Sequence, residues 1–377
     1  MRKENLSKRI ASCIFATALC AATFAGCGKK EVGAEVGNAG SSLAQEAAAQ
    51  EENCIFNLDK LSGITDESEF IEYFDYAAGR CVVVAVGDQG NRKYISFKPD
   101  GSDVNSFDLS VGSVISSYAV DAEGNFYMQY IEYYEEADTE ADEEGVAHAG
   151  DDDESEDAAS EDWQEDAANA ESAMKAAGLV KFDATGKEIF RKDLMSNYKG
   201  DGSFVVNSIV WTEKQGLLFN TTTGIMKFDE NSGLSPIMEC KDFGDKYEGY
   251  CTLFKGAGDK LYASVYEGEE GYITYAVDLD GKKLSDPLGV PKEYFYFFAG
   301  EGHDFYCADS EAVYGYDAGA DKLVKVMDFA QSKLDPDVTG ILFNYAVALS
   351  DKEIIADVTV DTDAFSSNIC KLTKAEG

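Results

Sequence analysis

The feature that most constrains this chain is a turn that keeps recurring. Six times an aromatic or apolar residue is followed closely by Asp, then by Gly, and then by a new apolar run. The copies are F-K-P-D-G-S at 97–102, V-D-A-E-G-N-F-Y at 120–127, F-D-A-T-G-K-E-I at 182–189, F-D-E-N-S-G-L at 228–234, V-D-L-D-G-K-K-L at 277–284 and Y-D-A-G-A-D-K-L at 316–323. This is hairpin chemistry: the Asp side chain bonds its own backbone, and Gly supplies the positive φ that a tight turn needs. Between the turns lie short runs rich in aromatic and β-branched residues, such as C-V-V-V-A-V, N-F-Y-M-Q-Y-I and E-I-I-A-D-V-T-V. Such runs suit strands of stacked sheets, and no amphipathic helix pattern interrupts them.

The spacing converts the turns into an architecture. Gly186, Gly233 and Gly281 are 47 and 48 residues apart, and Gly319 follows after 38. A period of about 40 to 50 with about four strands per unit predicts an all-β fold, a β-propeller. The units run 67–110, 114–194, 205–240, 250–288, 294–329 and 339–373, which makes six four-stranded blades; seven is the alternative count. The last unit shows three strands, and Cys54-Ile55-Phe56-Asn57-Leu58 has no blade of its own. A ring closed by pairing this N-terminal strand with the last blade removes two exposed edges. That closure brings Cys54 and Cys370 onto neighbouring strands, where a disulfide could lock the ring; two free thiols is the simpler reading.

The first 53 residues are a different material. Arg2, Lys3, Lys8 and Arg9 precede an Ala-rich apolar stretch, 10–24, too short for a membrane span, and the stretch ends in T-F-A-G-C-G. Residues 1–26 thus read as a signal peptide and 27–53, small and polar, as a flexible tether. The fold proper is expected over 54–377. The whole chain carries a net charge of −39, and the signal segment is itself basic, so the remainder is more acidic still. So acidic a surface repels phosphates, which argues against nucleic acid as a partner.

One unit is far too long. From Glu135 to Glu171 there are eighteen acidic residues and no Lys or Arg. A block like this repels itself and has no core, so an insertion over about 135–174 is expected to be disordered, hung between two consecutive strands of one sheet. It lacks the D-x-D-x-D-G order of an EF-hand, which leaves weak calcium binding or capture of a basic partner beside the simpler role of a solvated tract.

Chemistry is narrowed mostly by counting. Only His148 and His303 exist, and the first falls in the acidic insertion, so any Ser-His-Asp or Cys-His site must use His303. Nucleotide, zinc-protease and hydrolase-elbow motifs are absent, and Cys54, Cys81, Cys240, Cys251, Cys307 and Cys370 are scattered without metal-knuckle spacing. No catalytic residue, metal site or cofactor is assigned. Paired carboxylates remain open, and three or more inward Asp, Glu, Arg or Tyr side chains at the channel mouth would favour an enzyme. Tyr127, Tyr130, Tyr133 and Tyr134, like Tyr294 to Phe298, fit packing between blades; Tyr247 and Tyr250 are candidates for stacking on a sugar or peptide.

Three features carry a family resemblance: T-F-A-G-C-G, the D-x-x-G-K hairpins, and A-L-S-D-K-E-I-I-A-D-V followed by N-I-C-K-L-T-K. Together they resemble lipoproteins of Gram-positive bacteria, in which a lipobox and tether precede a propeller and then an extracellular solute-binding domain. The resemblance implies lipidation at Cys27 and an address on the extracellular face of the cytoplasmic membrane, held by the acyl chain. With the chain stopping at Gly377, it also implies that the solute-binding domain is missing. What remains is a noncatalytic binding or scaffolding module for a protein, peptide or glycan. The contrasting expectation is a propeller hydrolase or lyase acting on glycans or peptides.

Overall fold

The computed structural model describes residues 54–66, 69–87, 89–109, 114–133, 174–194, 205–243, 251–267, 271–292, 294, 296–309, 311–330, 342–359 and 367–375. The signal and tether, Cys27, His148, Tyr134, Tyr247, Tyr250, Phe295 and nearly all of the acidic insertion lie outside these residues.

The described chain forms six antiparallel four-stranded sheets. Strand β1 (Phe56–Lys60) stands apart from the first blade, which is β2 (Phe70–Ala77), β3 (Arg80–Val86), β4 (Arg92–Phe97) and β5 (Asn105–Asp108). Blade 2 is β6 (Val114–Val120), β7 (Phe126–Tyr133), β8 (Met174–Phe182) and β9 (Glu188–Asp193), and blade 3 is β10 (Val206–Thr212), β11 (Gly216–Thr221), β12 (Gly224–Asp229) and β13 (Gly233–Glu239). Blade 4 is β14 (Cys251–Lys255), β15 (Leu261–Tyr266), β16 (Tyr272–Asp278) and β17 (Lys283–Leu284); blade 5 is β18 (Phe297–Phe298), β19 (Phe305–Ala308), β20 (Ala312–Asp317) and β21 (Lys322–Asp328). Blade 6 is β22 (Leu342–Ser350), β23 (Glu353–Thr359) and β24 (Ser367–Lys374), completed by β1 as its outermost strand. The count is therefore six rather than seven, with the N-terminal strand closing the ring.

The first strand of each blade touches the first strand of the next, from β2 through β6, β10, β14, β18 and β22 and back to β2. Between each pair of neighbouring blades lies a separate hydrophobic cluster. Val82, Tyr94, Tyr118, Phe126 and Met128 fill the seam between blades 1 and 2, and Leu179, Ile209, Phe219 and Phe228 the next. Phe254, Tyr262, Phe305 and Tyr316 make an almost wholly aromatic seam between blades 4 and 5. The second strands run between two such seams, which is why C-V-V-V-A-V is apolar throughout instead of alternating: Cys81 to Val86 are all buried. The outermost β9 is exposed along almost its whole length.

The recurring turns now have addresses. Five of the six join the third strand of a blade to its fourth, all on one face of the disc, and V-D-A-E-G-N joins first to second on that same face. In each case the Asp carboxylate caps its own turn. Asp183 Oδ1 accepts the N–H groups of Thr185 (2.9 Å) and Lys187 (3.0 Å), and Asp229 Oδ1 those of Asn231 (3.0 Å) and Ser232 (2.9 Å). Gly186 holds φ +88°, as expected, but in blades 4 and 5 the left-handed residues are Lys282 (φ 51°) and Asp321 (φ 49°), not Gly281 or Gly319. The strand ends that the second-to-third and blade-to-blade connections join all lie on the opposite face, here called the loop face. The acidic insertion is one of these connections. The strands on either side of it, β7 and β8, pair from Phe126 opposite Phe182 to Tyr133 opposite Met174, with one register shift between Glu132 and Tyr133.

Two measurements check this account. A Cβ at Gly186 would stand 2.5 Å from the Phe107 ring of blade 1 as well as at positive φ, whereas Gly216 (φ +76°) has nothing within 4 Å. Gly186→Ala is expected to cost about 3 kcal/mol in urea unfolding, and Gly216→Ala about 1 kcal/mol, reflecting backbone strain alone; equal losses would mean that the docking on Phe107 contributes nothing. Hydroxyl and N–H donors also hold Asp100, Asp183 and Asp229 below the ordinary carboxylate value of 3.8. A group depressed in the folded state stabilises fully above its unfolded value and loses that contribution as pH falls through its folded value. The urea midpoint should therefore fall as pH drops below about 3.8, and less steeply in Asp183→Asn.

Candidate functional site

A cavity of about 440 Å³ opens on the turn face at the seam of blades 4 and 5 and is lined by Ala257, Gly302, His303, Asp304, Tyr316 and Asp317. The segment between β18 and β19 carries His303 into it. The imidazole fits only because residue 315 is Gly, where a Cβ would lie 2.2 Å from the ring, and it meets Tyr306 edge-on at 5.3 Å. Asp304 binds Lys260 and accepts the Ala318 N–H at 2.9 Å. Burial pushes the Asp304 carboxyl up, but these donors and Tyr262 outweigh it and hold it below its ordinary value. Tyr316 donates to Asp321 at 2.5 Å. The lining sets no Ser, Thr or Cys beside His303, so it supplies no nucleophile for that imidazole to activate. Burial raises the thiols of Cys81, Cys251 and Cys370 to about 12, far from the thiolate that cysteine catalysis requires.

A cluster of charged and tyrosine side chains gathers in the seam between blades 1 and 2. Glu72 on β2 takes Arg92 from β4 in a two-pronged pair, Nε to Oε2 at 2.7 Å and Nη2 to Oε1 at 3.0 Å. Tyr118 of the next blade donates to the same carboxylate at 2.7 Å. Both oxygens of Glu72 are thus occupied, and the side chains are 11% and 18% exposed. Burial lowers the affinity of Arg92 for its proton, but Glu72 and Tyr118 more than reverse this, so the guanidinium is held above its ordinary value. Such a cluster pins two blades together; it offers no free acid or base. Asp121 is similarly committed, to Lys181 at 3.3 Å and to Asn125 at 2.9 Å.

Of the two readings of Cys54 and Cys370, a ring-locking disulfide or two free thiols, the structure has the free thiols. β1 does lie beside β24, but Cys370 stands opposite Lys60. Cys54, upstream of β1, reaches blade 5 instead, where its Sγ meets the Lys325 carbonyl at 3.5 Å. Both thiols are free. Tyr127 and Tyr130 are buried in packing, with Lys181 4.9 Å above the first ring and Arg191 5.4 Å from the second. Tyr294 and Phe297 enter the aromatic seam between blades 4 and 5, while Tyr296 and Phe298 belong to the seam between blades 5 and 6. Among the described residues no three His, Cys, Asp or Glu side chains converge to hold a metal ion.

Sequence reasoning missed the hydroxyls that join the first strands. Ser117 Oγ accepts the Ile209 N–H of the next blade at 2.9 Å, and Ser208 Oγ accepts that of Leu253 at 3.2 Å. It also passed over Tyr266, which is 42% exposed on the loop face.

No family model and no curated protein matches the sequence. Solved structures do resemble the fold. The WD40 domain of Neurospora crassa Pan2 gives a TM-score of 0.43 at 6% identity, over 81% of this chain and 76% of that one. A Dyadobacter fermentans protein of unknown function gives 0.49 at 8%, over 86% and 99%. Trypanosoma rangeli sialidase gives 0.48 at 10%, over 81% of this chain and 53% of that one.

The committed state of Glu72 has a measurable consequence. Arg92→Ala leaves a half-buried carboxylate without its partner and is expected to destabilise by about 3 kcal/mol, whereas the double change Glu72→Leu with Arg92→Leu should recover most of the loss. A double variant no more stable than the single would contradict the assigned pairing.

Proposed function

We propose that this chain is a lipid-anchored β-propeller on the extracellular face of the cytoplasmic membrane, acting as a noncatalytic module that binds a protein, peptide or glycan beside solute uptake. The observation carrying the noncatalytic part is the occupancy of three carboxylates at the seams and turns between blades. Glu72, Asp121 and Asp304 are each held by a cation and by further donors, and a carboxylate so committed is a poor proton carrier. The anchor at Cys27 rests on the lipobox-like sequence. Its geometry is consistent with β1: Phe56 pairs with Lys374, so the chain ends take the place of the third-to-fourth-strand turn of blade 6.

The second reading, a hydrolase or lyase, is favoured by one feature, the gathering of Glu72, Arg92 and Tyr118 at an inner strand. Two experiments address both readings. Cys27→Ser should move the protein from the membrane fraction to the aqueous one and remove the mass of the diacylglycerol; retention on the membrane would refute the anchor. Incubation with glycan and peptide substrates should give binding without turnover. Turnover that disappears in Glu72→Gln would establish the enzyme instead.

A further inference from the structure

The seam between blades 4 and 5 differs from the others in being built almost entirely of rings, and it carries an ordered ladder on its blade 4 side. Strands β15 and β16 pair Tyr262 with Ala276, Ser264 with Thr274, and Tyr266 with Tyr272. Alternation puts all six side chains on one face of the sheet, and Tyr262, packed with Phe305 and Tyr316, identifies that face as the one toward blade 5. The rungs change character from inside to outside. Tyr262 is 2% exposed and meets Phe305 at 4.8 Å. Ser264 and Thr274 come next, 3% and 1% exposed, and neither hydroxyl has a hydrogen-bond partner among the described residues. At the loop-face end, Tyr266 and Tyr272 stand with ring centres 5.2 Å apart and planes inclined by 52°, and Tyr266 is open to solvent.

Two buried hydroxyls without partners among the described residues, directly below an exposed Tyr266 and a half-buried Tyr272, are costly for stability alone. Water held between them is the ordinary way to satisfy such groups. The chain also walls one side of the ladder: the Leu288 N–H donates to the Thr274 carbonyl (2.9 Å) and the Tyr272 N–H to the Lys292 carbonyl (3.0 Å). The ladder itself bears no formal charge. Glu267, at the top of the same strand, accepts from Tyr275 at 2.8 Å, and Tyr275 packs in the seam with blade 3. On a chain of net charge −39, an anionic ligand is disfavoured.

We propose that the loop-face end of this seam binds a neutral saccharide, with the Tyr266 and Tyr272 rings stacking on the sugar and the Ser264 and Thr274 hydroxyls bonding to it through water. A sugar ring matches both halves of the ladder: its C–H face lies on an aromatic surface, and its hydroxyls complete a water-bridged network. The assignment rests on the reading of the chain as a noncatalytic binding module and names the ligand class for it.

The test uses the full chain and calorimetric titration with neutral oligosaccharides, namely gluco-, galacto- and manno-configured hexamers, beside a peptide library. At least one hexamer should bind, and Tyr266→Ala should weaken it about tenfold or more. Ser264→Ala with Thr274→Val should weaken it several-fold without lowering the melting temperature. Phe70→Ala, which alters an exposed ring of blade 1 (49% exposed), should leave binding unchanged. Undiminished binding by Tyr266→Ala overturns the proposal. So does a library in which peptides bind and saccharides do not, although the binding-module reading then survives; if neither class binds, both fall.

Discussion

Everything in this disc depends on how the first strand of each blade meets the next. A first strand has only one neighbour within its own sheet, so the backbone groups along its other edge must find partners elsewhere or face the channel. Here the partner is a hydroxyl from the preceding blade. Ser117 serves Ile209, Ser208 serves Leu253, and Tyr296 takes a hydrogen bond from the Ala346 backbone. Serine reaches one atom beyond Cβ, so β6, β10 and β14 must approach closely. A tyrosine spans a wider gap, and the ring size is thus adjusted seam by seam through the length of one side chain. The aromatic and aliphatic clusters that fill the seams supply most of the stabilisation, but they are non-directional. The hydroxyl contacts set where one blade stops relative to the next.

The same strands share a second device. Register shifts fall between Ile71 and Tyr73, Ile115 and Ser117, Val206 and Ser208, and Phe343 and Tyr345. Each leaves one polar residue, Glu72, Ser116, Asn207 or Asn344, at a bulge near the loop-face end of an inner strand. Glu72 there collects Arg92 and Tyr118. Asn344 reaches Asp357 at 3.1 Å and Thr359 at 3.0 Å. Bulge polar groups are thereby gathered toward the loop face.

How much of this was legible follows from what each element depends on. The blade edges could be read closely because a hairpin turn is a local event: Asp183 caps its own backbone with no help from elsewhere. The flanks of the acidic insertion were equally local, since Phe126 and Phe182 belong to runs whose apolar character is plain. Whether Cys54 and Cys370 could pair stayed open for the opposite reason. Adjacent strands were correctly inferred, but which residues face each other is decided by register, and register is a property of the pair. Ser117 and Ser208 were invisible because a serine in a strand has no sequence signature until the next blade's backbone is placed against it. Gly281 and Gly319 misled because the turn needs one left-handed residue, and a neighbouring Lys or Asp adopts that conformation at modest cost.

The two faces then have different freedom to carry function. On the turn face, turns bind one another across blades. Asp259 accepts the N–H groups of Glu213 (2.8 Å) and Lys214 (3.0 Å), Lys214 pairs with Asp280, Lys260 with Asp304, and Asn105 donates to Ala184 at 2.7 Å. A change in any of these turns disturbs two blades. The pairing of β7 with β8 already runs from Phe126 opposite Phe182 to Glu132 opposite Ala176 within the strands themselves, so it does not rest on the connection between them. Such a connection can accept an insertion as long and acidic as 135–174 without loss of the blade. The face that tolerates that insertion is also the one on which the bulge residues and Tyr266 emerge. A recognition surface there can change without cost to the ring, and for that physical reason binding is sought on the loop face and not in the cavity among the turns.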